Sequence, residues 1–104
     1  MQSVSQIDPH AQIARKIRSI EATKVALLTQ VADVMRGVLE GQERETIESL
    51  ASLIGTAYLF ASQLGLDLAQ VDHSVCSGLP DWVTQGLLDP DEYERVRQYL
   101  RALR

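Results

Sequence analysis

Ile13, Ile17, Ile20, Leu27, Val31, Val34 and Val38 recur at helical steps, a spacing that gathers apolar side chains on one side of an α-helix. Arg15, Lys16, Arg18 and Glu21 fall off that stripe. Asp8-Pro9 gives the helix a start, an N-cap followed by a first-turn proline, and Gly41 gives it an end. A helix of about thirty residues is long for a globular domain, so the pattern leaves room for a bend near Ser19–Thr23.

A second helix is predicted from Gln42 or Glu43, with Glu43, Glu45 and Glu48 in its early turns, where the helix dipole favours acids. Its main stripe is Ile47, Leu50, Ile54, Ala57, Ala61 and Leu64, expected to face the first helix across the short turn at Gly41. Leu53, Leu59 and Phe60 lie outside it. From Ser49 to Leu66 there is no Asp, Glu, Lys or Arg. A helix apolar on more than one side is usually covered on more than one side, and in a short chain a partner subunit is the natural second cover.

Gly65 closes this helix, and Asp67 caps a short one expected through Val71. The stretch 73–88 contains Gly78, Pro80 and Gly86 and reads as a loop, with space for one helical turn at Trp82–Val83. Asp89-Pro90-Asp91-Glu92 then combines a cap, a proline at N1 and an acid at N3, opening a last helix over 90–103. Its C-terminal part carries Arg95, Arg97, Arg101 and Arg104. No strand pattern is present. The expectation is an all-α helical bundle forming a single domain over residues 1–104, completed by oligomerisation as a homodimer or tetramer.

With 45% hydrophobic and 23% charged residues and a formal charge of −4, the composition fits a globular protein and argues against disorder. An acidic chain has no broad field for drawing in nucleic acid. Cys76 is the sole cysteine, so an internal disulfide is excluded and a reducing, cytoplasmic setting is expected. No membrane span or secretion signal is expected either. His73 and Cys76 make an H-x-x-C pair, but with only one other histidine and no second cysteine, zinc there would need help from Asp residues or another chain.

Metal-dependent phosphate chemistry on helices needs several carboxylates converging on a hard cation. Beside the two apolar stripes, Gln30 and Asp33 share a face of the first helix, and Ser49 and Ser52 share a face of the second, continued by Thr56 and Gln63. Only Asp33 of the four leading positions is acidic.

The run LLTQVADVMRGVLEG followed by SLASLIGTAYLFASQLGLDL resembles the core of the MazG-like, all-α nucleoside triphosphate pyrophosphohydrolases. That family usually carries Glu-Glu-x-x-Glu in one helix and Glu-x-x-Asp in the next, whose end reads leucine, glycine, aliphatic, aspartate. The ending is present as Leu64-Gly65-Leu66-Asp67. Counting back from it places the second acidic pair at Ser49 and Ser52, and Thr29, Gln30 and Asp33 stand at the first motif.

In the family these acids hold Mg²⁺, which activates water against a nucleotide phosphate within a dimer or tetramer. The resemblance therefore implies the fold with a degenerate active site at Gln30, Asp33, Ser49 and Ser52: a protein without standard pyrophosphohydrolase activity that binds a nucleotide or a protein. Weak hydrolysis through a rearranged site, still using Mg²⁺, is the first alternative, and a structural or regulatory oligomer the second. Asp33, Glu45 and Glu48 are the remaining metal candidates, with Glu40 near them. Lys24 and Trp82 are the candidate ligand contacts, Lys24 by nearness to phosphate and Trp82 by stacking on a base or anchoring the loop.

Overall fold

The computed structural model describes residues 8–77, 85–86 and 89–103, and all regular structure among them is α-helical. Two compact units are present, Met1–Leu66 and Asp67–Arg104. The first holds α1 (Pro9–Leu39) and α2 (Glu43–Gln63), and the second holds α3 (Leu68–Ser77) and α4 (Pro90–Leu103).

Helix α1 starts where the sequence places it. Asp8 Oδ1 accepts a hydrogen bond from the His10 amide at 3.0 Å, satisfying one of the free donors of the first turn. It then runs for 31 residues as one helix, without a break at Ser19–Thr23. Thr23 sits there buried, its hydroxyl donating to the Ser19 carbonyl at 3.0 Å, so this polar side chain is satisfied within the helix.

Both helices of the first unit end in the same device. Gly41 and Gly65 adopt positive φ, 67° and 78°, a conformation that costs glycine little. The amides of Gly41 and Gln42 donate to the carbonyls of Val38 and Gly37, and those of Gly65 and Leu66 to Ser62 and Ala61. This is the paired hydrogen-bond pattern of a Schellman stop. Asp67 then accepts from the Ala69 amide at 3.0 Å and begins α3. Leu64-Gly65-Leu66-Asp67 is thus a helix stop joined directly to a helix start, which makes it a structural motif.

The two helices pack antiparallel: Gly37 lies against Thr46 at the turn end, and Gln63 Nε2 donates to Ser19 Oγ at 2.9 Å at the other. The faces between them differ from the sequence expectation. On α2 the sheltered positions are Thr46, Ser49, Leu53, Thr56, Tyr58, Phe60, Ala61 and Gln63, whereas Ile47, Leu50, Ile54 and Leu64 of the expected stripe are exposed. The physical reason is the close approach at Gly37 and Thr46, which needs small side chains between the helices and turns the larger aliphatic residues aside.

The exposed aliphatics form one surface. In an antiparallel pair the sense of rotation reverses, so the flank of α1 bearing Ile13, Ile17, Val31, Met35 and Val38 lies on the same side as the Ile47, Leu50, Ile54 and Leu64 flank of α2. By contrast, Val34 and Ala61 are the only buried hydrophobic residues among those described, 8% and 6% exposed.

In the second unit α3 is longer than expected, continuing through His73 and Cys76 to Ser77. Leu68, Val71 and Val75 maintain helical spacing, so residues 73–77 of the stretch expected to be a loop are helical; the expected turn at Trp82–Val83 lies outside the described residues. Helix α4 matches its predicted bounds. Arg95 pairs with Glu92 at 3.3 Å and Arg97 with Glu94 at 3.7 Å, with the Arg97 guanidinium 5.7 Å from the Tyr93 ring centre. These local pairs account for two of the C-terminal arginines. Among the described residues no helix is long and apolar enough to cross a membrane.

Candidate functional site

Four of the positions singled out by sequence, Asp33, Glu40, Glu45 and Ser49, meet near the Gly41 turn. Asp33, Arg36, Gly37, Glu40, Gln42, Glu45 and Ser49 line a cleft of about 310 Å³ on the side of the hairpin opposite the aliphatic surface. Residues 33, 36, 37 and 40 lie three or four apart on α1, and 45 and 49 four apart on α2, so each helix presents its set on one face. Asp33 and Ser49 are half-buried, while Glu40 and Glu45 are exposed.

Arg36 occupies the centre of the electrostatics. Its guanidinium is hydrogen-bonded to the Asp33 carboxylate as an ion pair. Three carboxylates against one guanidinium leave the cleft net negative. A phosphate chain gains little from such a lining, since Arg36 is already engaged and Asp33, Glu40 and Glu45 repel an anion.

The other candidates separate. Ser52 and Glu48 are exposed and do not line the cleft. Gln30 points between the helices, with Oε1 buried and lacking a hydrogen-bond partner. Lys24 is paired with Glu21 at 2.6 Å and lines none of the clefts described here. Trp82 lies outside the described residues. His73 and Cys76 share α3, and no group of three or more His, Cys, Asp or Glu able to hold a metal is present among the described residues.

Those donors do not suit Mg²⁺, which demands near-octahedral oxygen ligands and carboxylate charge to offset its dehydration. Gln30 offers a neutral oxygen sheltered between helices, Ser52 a hydroxyl outside the cleft, and Asp33 a carboxylate held by an arginine. Arg36 is the charged cleft residue that sequence reasoning passed over. Its signal was available: an arginine three residues after Asp33, within ion-pairing reach on a helix.

Gln30 supplies a direct check on this geometry. An unpaired buried acceptor costs about 1–3 kcal/mol, so Gln30→Met, which keeps the length and removes the amide, is expected to stabilise the fold by about 1 kcal/mol in denaturant unfolding. A loss of stability would mean that the amide has a partner that matters.

A second cleft of about 330 Å³ lies at the opposite end of the hairpin, lined by Gln12, Arg15, Lys16, Ser19 and Gln63. Gln63 is fixed there by its bond to Ser19, with Oε1 buried and without a partner. The charge character of the hairpin therefore changes along its length, from acidic at the turn to basic at the far end.

The sequence model of the MazG-like family matches residues 13–85, which takes in α1 from Ile13 onward, all of α2, the acidic cleft and all of the second cleft's lining except Gln12. No curated protein and no solved structure matches the chain significantly.

Proposed function

The chain belongs to the MazG-like family, and from that premise we propose that it uses the family scaffold for binding and lacks the standard Mg²⁺-dependent pyrophosphohydrolase chemistry. The observation that carries this reading is the state of the acidic positions: only Asp33 retains a carboxylate, and Arg36 is bonded to it. A hydrolase of this kind needs a metal to orient water and neutralise developing phosphate charge. Neutral oxygens at Gln30, Ser49 and Ser52 supply neither the charge nor the convergence.

The binding partner favoured by the surface is protein, beginning with a second copy of the chain. Val34 and Ala61 make a very small core, and the aliphatic flanks of α1 and α2 together offer a continuous surface for another hairpin. Burial of apolar area at about 25 cal/mol per Å² would make such a helical oligomer the main source of stability.

Nucleotide binding is the second reading, favoured by Arg15 and Lys16 in the basic cleft. Cations there would meet phosphate directly, without a metal. The decisive experiment is a panel of nucleoside triphosphates with Mg²⁺ or Mn²⁺, followed by pyrophosphate release. The expected result is no release above the protein-free rate. Release that disappears in Asp33→Asn overturns the binding reading in favour of a rearranged hydrolase. Metal-free titration of the same panel separates the two kinds of partner, because nucleotide binding weakened by Arg15→Gln and Lys16→Gln identifies the basic cleft.

A further inference from the structure

We infer that Arg36 is the resident cation of the acidic cleft, its guanidinium taking the place on Asp33 that a divalent ion would need and so weakening the cleft's hold on metal. This rests on the reading of the cleft as a degenerate family site and adds a competing cation to its missing ligands.

The spacing alone does not carry the inference. Glu21–Lys24, Glu92–Arg95 and Glu94–Arg97 have the same acid-to-base step of three along their helices, a common device of exposed helical surfaces. What separates Asp33–Arg36 is its surroundings. Both residues line one concave surface together with Glu40, Glu45 and Ser49, and Asp33 stands at the one family acidic position that still has a charge. A guanidinium is always protonated and planar, so it holds a carboxylate in fixed geometry and cannot release it by titration near neutrality.

A divalent ion approaching Asp33 must displace the guanidinium and then remain beside it. The pair is partly exposed, 54% for Arg36 and 39% for Asp33, so the displacement by itself is easy. Repulsion between a double and a single positive charge about 5 Å apart adds to it even in water. Together they weaken metal binding about tenfold.

Removing Arg36 should then reveal a metal affinity that the native side chain suppresses. Mn²⁺ binding is measured by calorimetry on the full chain, for the parent and Arg36→Gln, and again in proteins with a carboxylate placed in the cleft lining by Ser49→Glu. Because Ser49 is half-buried, Gln42→Glu, at an exposed residue of the same lining, serves as a second background, with helicity checked by circular dichroism. Arg36→Gln is expected to tighten Mn²⁺ about tenfold in the proteins with the added carboxylate, Arg36→Lys to tighten it less, and Lys24→Gln to leave it within twofold. Equal affinity, or no detectable binding, with and without Arg36 in both backgrounds overturns the inference, as does an equal gain from Lys24→Gln. Strong Mn²⁺ binding by the parent together with pyrophosphate release overturns the proposed function itself, whereas a null result at Arg36 alone leaves that function standing.

Discussion

Ile54→Asp is expected to convert an oligomer into a monomer and to lower its melting temperature by more than 10 °C. Ile54 is 57% exposed within the single chain, and substitutions at such positions normally change stability by no more than about 0.5 kcal/mol. If a second hairpin covers the aliphatic surface, the same change removes about 1.5–3 kcal/mol of apolar burial and places a carboxylate in the interface. Two-fold symmetry applies the loss twice, so the dissociation constant should rise by about a thousandfold or more.

Leu59→Asp provides the contrast. Leu59 is 52% exposed but lies on the other flank of α2, the side of the acidic cleft. Light scattering should find the parent and Leu59→Asp at the same mass and Ile54→Asp at the monomer mass. Equal masses and melting temperatures for all three proteins would show that the aliphatic surface has no partner copy.

Gly37→Val is expected to be the most damaging single change within the hairpin, destabilising it by about 3 kcal/mol or more. A Cβ built on Gly37 would stand 2.5 Å from Thr46 Oγ1 and 3.2 and 3.3 Å from its backbone nitrogen and Cα. The hydroxyl is itself held by a 2.8 Å bond to the Gln42 carbonyl, and the backbone atoms belong to the first turn of α2. Valine adds two further methyl groups where one already fails to fit, so the helices must part.

Gly37→Ala should cost less, about 1 kcal/mol, because the gain in helix propensity offsets part of the clash. Thr46→Ala in the same protein should restore much of that loss. Denaturant unfolding of the two single variants and the double gives the coupling between the positions. An additive double variant would mean that the close approach at the turn is not what limits the side chain at position 37.

The motifs that survive and those that are missing have different physical duties. Leu64-Gly65-Leu66-Asp67 stops one helix and starts the next through the Gly65 conformation and the Asp67 cap. Substitution there disturbs the fold itself. On the proposed reading, Gln30, Ser49 and Ser52 stand where resembling enzymes carry metal-binding carboxylates, and a helix forms equally well with neutral residues there. A family scaffold can therefore remain readable whether or not those acids are kept.

The sequence by itself determined the helices and their ends, since caps, prolines, glycines and apolar spacing act over a few residues. It also marked Asp33 as the sole acid at the four leading positions. The length of α3 was harder to read because glycine and proline signals downstream outweighed the helical spacing of Leu68, Val71 and Val75. Only the tertiary structure decided which face of α2 turns inward, because that choice depends on the close approach of Gly37 to Thr46, residues whose contact no local pattern encodes. The same packing set Arg36 among the acids of the cleft and left the large aliphatic side chains outside, where one hairpin has no means of burying them.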